Sequence, residues 1–258
     1  MDLELTGKIA VITGGSRGIG FAIAERLAQE GCRIRLVGRD PAAMEKSLAK
    51  LRVSGANQSG AEASGHFAEL TDRKQLESVF PLLVDADILV NSAGAVPRGT
   101  IQDVSADRFR AAFDGKVMSA IDLTREALAK MGARKRGVIV NIAGVAGERL
   151  NPRSVATSTS NAALMAFSQA VGSISVDDNV RVVCVNPGLI ATDRTQVLRD
   201  ASNPVDAAAY REVLEKLPYG RMGKPDEVAD LVAFLCSARA TYVSGAVFSI
   251  DAGMRYRH

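Results

Sequence analysis

Residues 9–20 most narrow what this chain can fold into. The run Ile9-Ala10-Val11-Ile12 leads through Thr13 into Gly14-Gly15-Ser16-Arg17-Gly18-Ile19-Gly20, and a helical period follows. Glycines at 14, 18 and 20 permit a tight turn. They also let backbone N–H groups approach a pyrophosphate at the helix N-terminus. A glycine-rich turn alone is a weak signal, because loops collect glycine. Here the strand before it, the helix after it and a second strand at Arg33-Ile34-Arg35-Leu36-Val37 give the turn the context of a dinucleotide site. Gly14, Ser16, Arg17, Gly18, Ile19 and Gly20 are therefore expected to cradle a nucleotide.

The alternation continues to the end of the chain. Asp87-Ile88-Leu89-Val90, Gly137-Val138-Ile139-Val140, Arg181 to Val185 and Val247-Phe248-Ser249-Ile250 also read as strands. Several are apolar on both faces, as strands of a helix-covered parallel sheet must be. Helical patterns lie near 18–30, 41–52, 72–83, 105–131, 158–175 and 226–237, with start signals at Ser105 and Pro225-Asp226. The order predicts α/β architecture, a single doubly wound domain over 1–258.

Composition excludes several alternatives. No linker, repeat or low-complexity tract divides the 258 residues, and the polar stretch 54–60 reads as a surface connection. The net charge of +3 is spread over interspersed acids and bases, which does not suggest nucleic-acid binding. Arg134-Lys135-Arg136 reads as the solvated end of a helix. Cys32, Cys184 and Cys236 are far apart and fit no metal spacing; Cys184 reads as a small core residue. No metal site is expected. With no signal peptide and no long apolar span, the expectation is a cytoplasmic protein without a membrane segment.

The second strand ends in Gly38-Arg39-Asp40. A preference for NAD(H) usually places a carboxylate at that strand end, to accept the ribose hydroxyls. Gly38 takes that place, while Arg17 and Arg39 offer planar forks that suit a 2′-phosphate. NADP(H) is expected over NAD(H), against the alternative that both arginines are ordinary surface residues.

The glycine turn, Asn91-Ser92-Ala93-Gly94, Asn186-Pro187-Gly188 with Thr192, and the ending Ser244-Gly245-Ala246-Val247-Phe248-Ser249-Ile250-Asp251-Ala252-Gly253 together resemble the short-chain dehydrogenase/reductase family over essentially the whole chain. The resemblance implies a Rossmann-type fold with a mostly parallel, seven-stranded sheet flanked by helices. It implies that Asn91, Ala93 and Gly94 shape the cofactor crevice and that Glu69 and Leu70 sit by the adenine. Pro187, Gly188, Ile190 and Thr192 would line the nicotinamide. It also implies a small-molecule substrate, a homo-oligomer (dimer or tetramer) and a substrate lid at 195–217.

The family's catalytic set is altered. Alignment on Val138 to Gly144 puts Gly144 at the family's serine, Thr157 at its tyrosine, Asn161 at its lysine and Lys116 at its fourth-helix asparagine. Lysine and asparagine have thus exchanged helices. Phe109, Ala112, Phe113, Ala120 and Leu123 stand three, four or seven residues from Lys116, which predicts an inward side chain. Its ammonium would favour negative charge on a substrate oxygen. Thr157 and Asn161 share one helix face. The alternatives are a solvent-reaching Lys116 and a polar helix start at 157–160, with Ser158 and Thr159 near the N-cap.

The resulting expectation is an NADP(H)-binding oxidoreductase acting on a carbonyl/alcohol or activated double bond, with catalytic Lys116, Thr157 and Asn161. A lyase or isomerase with retained nicotinamide and a catalytically silent nucleotide-binding subunit are the other readings. Arg149, Arg153 and Arg194 are weak candidates for an anionic substrate. His66 and His258 read as surface residues, and Asp193 as a loop carboxylate.

Overall fold

The computed structural model describes residues 1–54, 62–193, 195 and 214–257. The six apolar runs are all strands: β1 (Ile9–Thr13), β2 (Arg33–Gly38), β4 (Ile88–Asn91), β5 (Gly137–Ile142), β6 (Val180–Pro187) and β7 (Val247–Ile250). A seventh, β3 (Ala63–Phe67), has no β-branched residue to announce it. It is an edge strand held by its register with β2, in which Gly65 lies opposite Leu36. Gly65 is needed there because a Cβ would stand 2.8 Å from the Met44 Cγ.

All strand pairs are parallel, in the order β3-β2-β1-β4-β5-β6-β7. The winding reverses between β1 and β4, and ligands of such sheets bind in the crevice at that point. Both faces of the sheet are covered. Ile12, Ile34, Val90 and Val140 pack with Ile23 and Leu27 of α1 (Gly18–Gln29) and Val228 and Val232 of α7 (Pro225–Cys236). Val11, Val37, Leu89 and Ile139 face Leu123, Ala127 and Met131 of α5 (Ser119–Ala133). Alternate residues of one strand thus feed opposite cores, which is why the strands read as apolar throughout.

Between these lie α2 (Pro41–Ser54), α3 (Arg73–Glu77), α4 (Ala106–Phe113) and α6 (Val155–Ile174). The helix expected over 72–83 is instead α3 followed by a 3-10 turn, Phe80–Leu83. Pro81 in that stretch has no N–H to continue an α-helical ladder. The long helix expected over 105–131 is interrupted by a π-turn, Asp114–Met118, between α4 and α5. Ser105 caps α4 by accepting the Arg108 N–H, and Pro225 opens α7, as their positions predict.

The polar stretch at 157–160 does not start a helix. Helix α6 begins at Val155, with Ser154 as its N-cap residue, so Ser158 and Thr159 are not caps. Ser158 accepts the Asn151 N–H at 3.2 Å, while Thr159 and Ser160 donate back to the Val155 and Ala156 carbonyls. Most of the 195–217 segment expected to form a lid lies outside the described residues, as do Arg194, His258 and residues 55–60. Among the described residues no helix is long and apolar enough to cross a membrane.

Candidate active site

The crevice at the C-terminal ends of β1 and β4 is a cleft of about 1070 Å³. Its floor is the glycine turn. Gly14 (φ +64°) and Gly18 (φ +54°) adopt left-handed backbone, and a Cβ on Gly14 would stand 2.9 Å from the Ala93 Cα. Only a bare backbone lets the β1 and β4 loops meet this closely. Thr13 fastens them, its Oγ1 accepting the Ser92 and Ala93 N–H groups at 3.1 and 3.2 Å. The first turn of α1 has no side-chain cap, which leaves its N–H groups available to an anion.

Gly14, Ser16, Arg17, Gly18, Ile19, Gly20, Arg39, Glu69, Leu70, Ala93, Gly94 and Thr192 all line this cleft. Asn91 does not; it is buried behind the wall, donating to Asn141 at 2.9 Å, and Asn141 donates in turn to Ser168. Pro187, Gly188 and Ile190 lie outside the lining. Asp40, Thr71, Ser92, Val96 and Ala143 line the cleft and were not anticipated from the sequence. Asp40 directly after Arg39, and Ser92 within the Asn91-to-Gly94 motif, were the visible signals. Arg39 pairs with Glu69 at 2.9 Å, and Arg17 pairs with Asp40. The Ala43 N–H and the Arg17 guanidinium hold the Asp40 carboxyl below its usual range. Partial burial opposes the charged form of Glu69, but hydrogen bonds from Arg39 and Thr71 outweigh it and lower its pKa.

Lys116 lies in the π-turn and lines the cleft. An extra residue in a helical turn redirects side chains, and such turns recur at functional sites. The Lys116 Nζ donates to the Ala143 carbonyl at the end of β5, at 3.3 Å. Its stem lies over Gly94, whose absent Cβ would stand 2.9 Å from the lysine Cβ and Cγ. Asn161 is buried on α6 with its amide over Gly144, where a Cβ would stand 3.1 Å from Nδ2. Its Oδ1 has no hydrogen-bond partner among the described residues. Thr157 is half-buried one turn earlier on α6, and neither it nor Asn161 lines the cleft. Cys184 lies near the Lys116 charge, but burial pushes its thiol up to about 12.

A family model described as enoyl-(acyl carrier protein) reductase matches residues 14–255. The 3-oxoacyl-[acyl-carrier-protein] reductase FabG of Aquifex aeolicus is 33% identical, over 98% of this chain and all of that one. The chain belongs to the short-chain dehydrogenase/reductase family. Dehydrogenase/reductase SDR family member 4 of Bos taurus is 31% identical over 96% of this chain and 88% of its own. The crystal structure of L-sorbose reductase from Gluconobacter frateurii, complexed with NADPH and L-sorbose, superposes with a TM-score of 0.91. It is 32% identical and covers 99% of each chain.

The seven-stranded Rossmann-type sheet agrees with that membership, and the chain is a short-chain oxidoreductase with a nicotinamide-cofactor cleft. A cradle of glycines, two arginines at the adenosine end and uncapped helix N–H groups fit such a cofactor. At the positions that the resemblance gives to the family's catalytic set, this chain has Gly144, Lys116, Thr157 and Asn161, of which Lys116 lines the cleft.

Proposed function

We propose that this chain is an NADP(H)-dependent oxidoreductase with a non-standard catalytic centre around Lys116. Its reaction would interconvert a small-molecule carbonyl and alcohol, or saturate an activated double bond. The bound cofactor supplies the hydride donor or acceptor. The carrying observation is Lys116 itself: a cationic side chain turned into the cleft, supported by Gly94 and hydrogen-bonded to the end of β5.

Lys116 places positive charge where a substrate oxygen gains negative charge, and a fixed cation in a partly dry cleft is most effective there. Asn161 keeps an Oδ1 behind Gly144 that has no hydrogen-bond partner among the described residues, an acceptor suited to an ordered water. Thr157, one turn before it, contributes position, because an alcohol is a far weaker acid than a phenol. Arg17 and Arg39 support the preference for a 2′-phosphate, as does the NADPH in the sorbose reductase structure. The whole chain forms one domain and works in the cytoplasm as a homo-oligomer. Exposed Met118 and Ile174, on the helical layer, favour that association.

The test separates binding from turnover in Lys116→Ala and Lys116→Met. Losing a charge that acts only in the transition state should lower kcat by about 10²–10³-fold while cofactor affinity stays within about threefold. Unchanged kcat with a screened carbonyl substrate removes Lys116 from the chemistry. Product formed without net change in nicotinamide absorbance would favour a lyase or isomerase instead.

A further inference from the structure

Two ion pairs cross the adenosine end of the cleft, and all four residues line it. Arg39 is bound by Glu69, Arg17 by Asp40, so the two cations that would receive a 2′-phosphate already have anionic partners. The carboxylates are also fixed from behind. The other Asp40 oxygen accepts the Ala43 N–H at 3.0 Å, at the start of α2. The other Glu69 oxygen accepts the Thr71 N–H at 3.4 Å, and the Glu69 N–H is itself held by the Gln75 side chain at 2.9 Å. If an arginine swings to a phosphate, its carboxylate stays behind.

We propose that the Asp40 and Glu69 carboxylates compete with the 2′-phosphate for Arg17 and Arg39, and that Glu69 sets how strongly the cleft discriminates between phosphorylated and unphosphorylated adenine nucleotides. This rests on reading the cleft as the nicotinamide-cofactor site. A phosphate monoester brings nearly two negative charges. Its gain on meeting a guanidinium is reduced by the ion pair it must break and by the carboxylate left beside it. A free ribose meets no such opposition, because carboxylates accept its hydroxyls. The site therefore accepts both cofactor types, with a narrower preference than two unopposed arginines would give.

The measurement is titration calorimetry of the full chain with adenosine 2′,5′-bisphosphate and with adenosine 5′-monophosphate. Glu69→Gln keeps the shape and removes the charge; it should raise the affinity ratio favouring the bisphosphate about tenfold at low salt. Asp40→Asn, which keeps the cap on α2, should raise it about threefold, because the Asp40 carboxylate is more exposed than that of Glu69. Both gains should shrink at about 0.5 M salt, where the Debye length is a few ångströms. An unchanged or reduced ratio in Glu69→Gln, or a gain indifferent to salt, overturns the inference. A native chain that binds neither nucleotide defeats the cofactor-site reading itself, which is a different failure.

Discussion

At the residue scale, two of the side chains that replace the family's catalytic set are matched by space. Lys116 fits because position 94 is glycine, and Asn161 fits because position 144 is glycine. Gly144 has extended backbone that any residue adopts, so only the asparagine amide limits what can stand there. Gly144→Ser, which restores the hydroxyl of the family pattern, should crowd Asn161 and lower stability by about 1–2 kcal/mol. Urea denaturation checks this. Adding Asn161→Ala should recover most of the loss, a coupling of at least about 0.5 kcal/mol; strictly additive effects would show that the two positions do not share space. The inward Lys116 was legible from its apolar neighbours at helical spacing. The Gly144–Asn161 contact was not, because it joins a loop and a helix whose separation only the fold defines.

At the scale of elements, strong local patterns were readable and long-range pairing was not. Six strands announced themselves through β-branched runs, whereas β3 depends on its partner β2 and on a glycine facing Met44. The π-turn holding Lys116 has no sequence signature, since residues that favour one wide turn are ordinary helix formers. The start of α7 shows how an element end anchors the site. Gly223 bridges to Ile190, while Arg221 grips Glu227 through two bonds of 2.9 and 2.7 Å. The Glu227 carboxylate also accepts the Lys224 N–H at 2.6 Å. Arg221 first, then that N–H, hold the Glu227 pKa down to about 2. Because the folded value lies below the unfolded one, near 4.3, the stabilisation is full above pH 4.3 and is lost as pH falls towards 2. Glu227→Gln should therefore lower the melting temperature at pH 7 and differ little from the native chain near pH 2. A gap that persists in acid would assign the effect to packing rather than charge.

At the scale of the whole molecule, the three cysteines report on cooperativity because they belong to different elements of the chain. Cys32 leads into β2, Cys236 ends α7, and Cys184 lies within β6. Two belong to the core under α1 and α7, and the third to the cluster between β6 and α6. All are buried and unpaired by disulfides. Burial raises the thiol of Cys32 strongly and pushes those of Cys184 and Cys236 up to about 12. The thiolate is the reactive form, so the folded chain should resist alkylation at pH 8, while an unfolded chain with ordinary thiols near 8.5 reacts. The sign of the linkage follows. Stability from the protonated thiols is complete below about pH 8.5 and declines above it, because deprotonation then favours the unfolded chain. Intact-mass spectra during slow labelling should show chains with no label or three, and NADP⁺ should slow the conversion by stabilising the folded form. Accumulation of a singly labelled chain, modified at Cys236 alone, would mean that α7 opens without the sheet. The molecule would then be assembled from separable layers, with the α1–α7 layer opening before the sheet.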